Sequence, residues 1–174
     1  MADLKKYSFN KYSEKYVLLF NREKNKLKKI FTGAEIEHVG SSSIKGLGGK
    51  GIIDVAISVP KNQIQNSIKK LEKNGYDLRP NGGDKERFFF QKVIKYKRNE
   101  RRVHIQLTHS NSETWKSLLA VRDYLRKNPK LIEDYERIKK EAIKHADGEG
   151  KKYREYKKSF LQKIENLALK EYSD

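Results

Sequence analysis

The sequence predicts an α+β fold, in which a small mixed sheet is followed by a helical C-terminal part. Residues 52–59 are rich in β-branched side chains, and residues 101–108 alternate between apolar and polar side chains, as strands do. The C-terminal third has apolar residues at helical spacing instead. We expect one domain over residues 1–174, with the sheet in residues 1–110 and the helices in residues 111–174.

The first half of the chain predicts two helices around two strands and a loop. An amphipathic helix over residues 13–30 has an apolar side formed by Val17, Phe20, Leu27 and Ile30. A short strand, a glycine- and serine-rich loop, a buried strand and a second helix follow at residues 34–39, 40–51, 52–59 and 62–74.

The second half predicts a hairpin and three helices. The hairpin pairs residues 88–96 with residues 101–108 across a turn at 97–100. Its second arm places Val103, Ile105 and Leu107 on one face and His104, Gln106 and Thr108 on the other. The helices are expected at residues 112–127, 128–145 and 151–172. The expected element order is α-β-β-α-β-β-β-α-α-α.

The composition excludes several kinds of site. The chain has no Cys, which excludes disulfides, Cys-ligated zinc, iron–sulfur clusters and thiol nucleophiles. A metal would therefore need oxygen or nitrogen ligands. No apolar run approaches the roughly 18 residues of a membrane span, and the N-terminus lacks the apolar region of a secretory signal. We expect a cytoplasmic protein without membrane partners.

The chain is strongly basic, with 40 Lys and Arg against 23 Asp and Glu and a net charge of +17. Such a field attracts polyanions and polyphosphates. The basic stretches at residues 24–29, 92–102 and 151–158 are spread along the chain and interleaved with other residues. This distribution favours solvated faces over a nucleic-acid track, and nucleic-acid binding stays open as an alternative.

The loop at residues 40–51 and the strand after it carry the chemistry. Five glycines in the loop free backbone N–H groups to face an anion, and three serines and two lysines accompany them. Asp54 lies inside the apolar strand, on the face that also holds Ala56 and Ser58. A carboxylate there needs a partner, which is either a buried Lys or Arg or a metal–phosphate group. The neighbouring loop favours the second alternative.

Residues 37–47 read EHVGSSSIKGL and residues 50–54 read KGIID. This sequence closely resembles the signature of the GrpB family, which belongs to the nucleotidyltransferase superfamily of DNA polymerase beta. The resemblance continues through Arg87-Phe88, residues 104–106 and residues 122–126 as far as Phe160. It implies a nucleotidyltransferase-like mixed sheet with a helical C-terminal part.

The resemblance also implies roles for individual residues. Gly40 and Ser41, with Ser42 and Ser43, match the turn that binds the phosphates of a nucleoside triphosphate. Asp54 matches the first of three carboxylates that hold two Mg²⁺ ions. The other two positions carry Ala56 and Gln106. His38 and His104 are the nitrogen donors that would complete a metal site with Asp54, unless they are structural histidines.

Further candidates surround this motif. Asp54 and His104 are the expected catalytic residues, and Lys50, Arg87 and Arg122 are expected to contact phosphate. A salt bridge involving Asp123 is the equal alternative for Arg122. In the last helix, Tyr153 and Lys157 share a face, where we expect Tyr153 to pack against the cleft and Lys157 to be a weaker ligand candidate. Trp115 is expected in the core.

The function we expect is binding of a nucleotide or another phosphorylated small molecule. Mg²⁺ is the expected cofactor, and transfer of a nucleoside monophosphate to an unknown acceptor is the expected reaction if the site is catalytic. A non-catalytic ligand-binding or chaperone-like module is the alternative from a different class. The sequence leaves the acceptor, the preferred base and the oligomeric state open.

Overall fold

A computed structural model describes residues 8–173. The helices are α1 Lys15–Ile30, α2 Ile64–Lys73, α3 Glu113–Lys127, α4 Pro129–Ala146 and α5 Gly150–Ser173. The strands are β1 Glu35–Val39, β2 Ile53–Val59, β3 Asp77–Leu78, β4 Phe88–Tyr96 and β5 Asn99–His109. Short 3₁₀ turns lie at Ser41–Ser43, Lys61–Gln63 and Pro80–Gly82. The element order agrees with the sequence prediction.

The five strands form one mixed sheet in the order β1-β2-β5-β4-β3. The central pair β2 and β5 is parallel, and the other neighbouring pairs are antiparallel. Asp54 of β2 is opposite Val39 of β1 and opposite His104 of β5. This register brings the end of β1, and therefore the loop after it, next to Asp54.

One face of the sheet packs against α1 and α2. Ile53, Val55 and Ile57 of β2 are fully buried there with the apolar side chains of β5, which are Val103, Ile105 and Leu107. Leu27 of α1 and Leu71 of α2 complete this core. The alternation of apolar residues in β2 and β5 predicted this face, and the structure confirms it.

The opposite face is covered in part by the C-terminal helices. Trp115 of α3 packs against Val39 and Ala56 of the sheet, so its expected core position is confirmed. Helices α3, α4 and α5 pack on one another through Leu125, Tyr135 and Ile164. Beyond this apolar contact, the face carries Asp54, His104 and Gln106.

Two local predictions are corrected, and the strand that the expected order places before the hairpin is located. Val17 is 40% exposed, because the buried side of α1 is formed by Tyr16, Phe20 and Leu27. The hairpin turn is shorter than expected, since Tyr96 pairs with Asn99 and only two residues lie between them. No strand pattern marks the two residues of β3, which pair with β4 at the edge of the sheet.

Across residues 8–173, none of the helices combines the length and the apolar character that a membrane crossing requires.

Candidate functional site

The turn after β1 lies directly against Asp54. Gly40 has φ of 70° and ψ of −174°, a conformation that is open almost only to glycine. A Cβ atom on Gly40 would lie 2.5 Å from Oδ2 of Asp54. The glycine therefore allows the backbone to approach the carboxylate closely. We call residues 40–43 the serine turn.

Two of the three serine hydroxyls are used within the serine turn itself. Oγ of Ser43 donates to the carbonyl of Gly40 at 2.6 Å, and Oγ of Ser42 is 2.9 Å from Nε2 of His38. Ser41 differs, because its hydroxyl faces Gly49. An atom built at the Cβ position of Gly49 would lie 3.1 Å from Oγ of Ser41 and 2.7 Å from Nζ of Lys139. The structure thus brings the Ser41 hydroxyl and the Lys139 amine together against Gly49.

Asp54 and His104 lie side by side on neighbouring strands. Oδ1 of Asp54 is 3.6 Å from Nδ1 of His104, and about a fifth of each side chain is exposed. The His104 ring packs edge-on against Phe89, with 4.7 Å between ring centroids. The structure therefore brings the two expected catalytic residues together on the sheet face opposite α1.

The positions beside this pair carry no further carboxylate. Ala56 is fully buried and is opposite Gln106 in the register. Oε1 of Gln106 accepts a hydrogen bond of 2.9 Å from Arg87, whose other terminal nitrogen donates to the carbonyl of Gly82. Arg87 thus connects β5 to the turn before β4. Its expected phosphate contact stays a prediction.

His38 does not join Asp54, contrary to the expected metal site. It pairs with Val55 and so lies on the face of α1, whereas Asp54 lies on the other face. Its ring stacks on Phe20 at 4.4 Å, and burial lowers the pKa of His38 to about 4. Over residues 8–173, no group of three or more His, Cys, Asp or Glu side chains is arranged to hold a metal ion.

Arg122 is bound to carboxylates behind the serine turn. It donates to Glu37 at 2.6 Å and to Asp123 at 2.9 Å, and it also contacts the carbonyl of His38. Burial alone would lower the pKa of Arg122, but the hydrogen bonds to Asp123 and Glu37 outweigh it and raise the pKa. Arg126 donates twice to the carbonyl of Ser43. The structure thus shows the ion pair that was the alternative for Arg122.

Lys139 of α4 is a buried amine at the front of the serine turn. Only 3% of the residue is exposed, and Nζ donates to the carbonyl of Gly48 at 3.3 Å. Burial and the nearby charge of Lys157 lower the pKa of Lys139 well below its usual value. The ion pairs formed among residues 8–173 do not include Lys139 or Lys157.

Two further lysines, Lys50 and Lys157, lie near Lys139 and have their amines over the ring of Tyr153. Nζ of Lys157 lies 4.2 Å from the centre of the Tyr153 ring, and Nζ of Lys50 lies 4.7 Å from it. Burial and the charge of Lys50 lower the pKa of Lys157 to about 8. The charge of Asp54 acts in the opposite direction on the pKa of both Lys139 and Lys157, but both pKa values stay lowered. We call Lys50, Lys139 and Lys157 the lysine cluster.

Sequence reasoning missed Lys139 as a site residue, although a signal was present. The buried positions of α4 are Tyr135, Lys139, Ala142 and Ala146, which recur at helical spacing. A lysine on such an apolar stripe is unusual, because a buried charge needs a partner. Lys157 occupies the corresponding stripe of α5 with Tyr153, whose expected packing position is confirmed by its burial.

The chain is similar in sequence to known proteins. The model of the GrpB protein family matches residues 7–167. The UPF0157 protein YqkA of Bacillus subtilis is 33% identical over 141 residues, which are 78% of this chain and 40% of YqkA. The chain therefore spans two fifths of the length of that relative.

Solved structures confirm the expected fold. The crystal structure of the conserved protein GrpB from Enterococcus faecalis has a TM-score of 0.82 and 28% identity, covering 96% of this chain and all of that one. The Cid1 poly(U) polymerase with MgGTP bound has a TM-score of 0.51 at 17% identity, covering 79% of this chain and 44% of that one. The second likeness is one of fold, and it makes the architecture nucleotidyltransferase-like. By its sequence and its fold, the chain belongs to the GrpB family.

Proposed function

We propose that the protein binds a nucleotide or another phosphorylated ligand in front of the serine turn. One observation carries this proposal: the hydroxyl of Ser41 and the amine of Lys139 come together beside Gly49. Phosphate oxygens accept hydrogen bonds from hydroxyl, ammonium and backbone N–H groups alike. Gly40 is exposed, and its turn is of the kind whose backbone N–H groups bind anions in many phosphate sites.

The local arrangement favours a small phosphorylated ligand over a nucleic-acid strand. The net charge of +17 comes from residues spread over the chain, and most basic side chains of α4 and α5 face solvent. The lysine cluster instead converges from a loop and two helices on one aromatic ring. A few converging polar groups are typical of a small-molecule site.

The donor groups do not fit the expected Mg²⁺ ions. Mg²⁺ prefers octahedral oxygen ligands, including one or two carboxylates and phosphates of the substrate. Asp54 meets Gly40 of the serine turn, but among residues 8–173 no group of three or more His, Cys, Asp or Glu side chains is arranged to hold a metal ion, and the lysine cluster lies near Asp54. The carboxylate is therefore already opposed by amines, and we assign no step of the proposed function to a metal ion.

Transfer of a nucleoside monophosphate is a second candidate function, favoured by the contact between Asp54 and His104. An acceptor oxygen would attack the α-phosphorus while its proton passes to His104. The bond from the α-phosphorus to the bridging oxygen would break, and pyrophosphate would leave. Asp54 would orient the imidazole ring and stabilise its protonated form, as a carboxylate does in other acid–base pairs.

Calorimetric titration of the full chain with ATP, CTP, GTP and UTP tests ligand binding. We expect binding heat and a raised melting temperature for at least one nucleotide. Folded protein that shows neither effect with any of the four would remove the proposal. The variant Ser41→Ala should weaken the binding, whereas Ser159→Ala, at an exposed position on α5, should not.

Release of pyrophosphate from the bound nucleotide separates the two candidate functions. Transfer predicts release that disappears in Asp54→Asn and in His104→Gln but persists in Asp77→Asn, which changes an exposed aspartate of β3. Binding without release in the wild-type protein would favour a non-catalytic binding module. A set of acceptors that includes water, sugars and tRNA should be assayed, because the acceptor is unknown.

A further inference from the structure

We propose that the lysine cluster, rather than a divalent cation, neutralises the phosphates of the ligand, so that binding does not require a metal ion. This inference rests on the proposed function and assigns the ligand a class. The class is a compound with two or three linked phosphates, or with several phosphate charges in one place.

Lys139 is a buried amine with weak partners. An amine that is 97% removed from solvent loses its hydration, and this loss costs several kcal/mol unless other groups replace the water. The carbonyl of Gly48 at 3.3 Å and the face of the Tyr135 ring, whose centre is 4.7 Å from Nζ, are weak replacements, because neutral groups do not balance a full charge. The site thus holds a buried donor at the place where a phosphate is proposed to bind.

Arg122 and Lys139 differ in their partners. Two carboxylates lie within 3 Å of Arg122, which is the usual arrangement for a buried charge in a folded protein. Lys139 and Lys157 take part in none of the ion pairs within residues 8–173, although α4 and α5 contain many acidic residues. Those acidic residues pair instead with surface lysines and arginines, such as Lys140 and Arg137.

The charges around Lys139 and Lys157 are out of balance. Burial lowers the pKa of both amines, and the charge of a neighbouring lysine adds to this lowering. Asp54 opposes the lowering at both amines and Glu136 opposes it at Lys139, but they do not cancel it. A ligand with several negative charges relieves both the repulsion and the missing hydration. A single phosphate monoester would relieve less of it than a diphosphate or triphosphate.

Gly49 brings Lys139 next to the serine turn. A Cβ atom at this position would lie 2.7 Å from Nζ of Lys139 and 3.1 Å from Oγ of Ser41, so glycine allows the amine to approach the loop. Burial lowers the pKa of Lys139, and Lys157 and Lys50 are close enough to lower it further. A metal bound to Asp54 would add another positive charge near these amines.

The test measures the affinity of the full chain for ATP and for inorganic tripolyphosphate by calorimetry, in EDTA and in excess Mg²⁺. We expect tripolyphosphate and ATP to bind in EDTA with an affinity that is equal to or higher than in Mg²⁺, since Mg²⁺ neutralises the phosphates. The variant Lys157→Met should weaken binding in EDTA by about tenfold or more. Its matched control is Lys158→Met, an exposed neighbour on α5, which should bind as the wild type does.

Each alternative result has a distinct meaning. Binding that is about tenfold tighter with Mg²⁺ than in EDTA would overturn the inference and leave the proposed function intact. Equal affinities of Lys157→Met and Lys158→Met would also overturn it, because the cluster would then not be the countercharge. Absence of binding in both conditions would remove the proposed function and this inference with it. Melting temperatures of all variants establish that they are folded.

Discussion

The serine turn has cations on both sides, and the two groups differ in their partners. Behind the turn, Arg122 is held by Glu37 and Asp123, and Arg126 donates to the carbonyl of Ser43. In front of it, Lys139 is buried and Lys157 is half-buried, and neither forms an ion pair within residues 8–173. The arginines therefore fix the turn in place, whereas the two lysines have lowered pKa values and no carboxylate in direct contact.

This contrast separates cations that stabilise the fold from cations that we propose to bind a ligand. A buried cation whose charge is balanced by carboxylates stabilises the fold only through those partners. Removing one member of the ion pair strongly lowers the free energy of unfolding. An unsaturated buried cation lowers stability, and a protein keeps such a group where function requires it. Replacing the two kinds of cation should therefore change stability in opposite directions.

The largest effect is expected for Arg122→Met. The change leaves Glu37 and Asp123 without their shared partner, and it removes the contact to the carbonyl of His38. We expect the free energy of unfolding to fall by about 3 kcal/mol in urea denaturation. The control Arg137→Met, at an exposed ion pair, should change it by less than about 1 kcal/mol. Equal losses in the two variants would contradict the distinction.

Gly40→Ala should have the next largest effect. The methyl group meets Oδ2 of Asp54, and the positive φ adds backbone strain, so we expect a loss of about 2 kcal/mol. Gly33→Ala is the matched control, because Gly33 also has positive φ but open space around its Cβ position. It should lose about 1 kcal/mol. A smaller loss at Gly40 than at Gly33 would show that Asp54 does not press against the turn.

Lys139→Met should act in the opposite direction from Arg122→Met. The thioether has a similar length and needs no charge partner, so we expect the free energy of unfolding to rise by about 1.5 kcal/mol. Urea denaturation of the ligand-free protein measures it, with the exposed Lys144→Met on the same helix as control. Destabilisation by Lys139→Met would mean that the amine is a structural group.

The smallest effect is the pH dependence that Lys157 adds. Its pKa is about 8 in the folded chain and 10.5 in the unfolded chain, so the unfolded chain binds more protons between these values. Stability of the wild type should therefore rise relative to Lys157→Met as the pH increases from about 8 towards 10.5, by up to about 1 kcal/mol by pH 9. Parallel pH profiles of the two proteins would contradict the lowered pKa.

Much of this architecture follows from local sequence patterns. The two-residue period of β2 and β5 predicted which face each side chain takes, and the glycines after β1 predicted the loop that contains the serine turn. The partner of Arg122 could not be predicted, because Glu37 lies 85 residues away in the chain. The same holds for His38, since the register that separates it from Asp54 arises from the pairing of two strands.

The position of Lys139 can be predicted from the sequence only in part. Its helical position on the stripe of Tyr135 and Ala142 is local information, and it indicates burial. That the amine meets Gly49 and Ser41 depends on how α4 docks on the sheet, which no local pattern specifies. A lysine on an apolar helical stripe therefore indicates that a functional site is present. It does not indicate which loop or strand the amine will contact.

The affinity of Lys139→Met for ATP, compared with that of Lys144→Met, tests the central claim most directly. If the amine in front of the serine turn receives the phosphates, calorimetry should show that Lys139→Met binds ATP about tenfold or more weakly than Lys144→Met, although it is the more stable variant. Equal affinities in two folded variants would contradict the claim that the phosphates bind at Lys139.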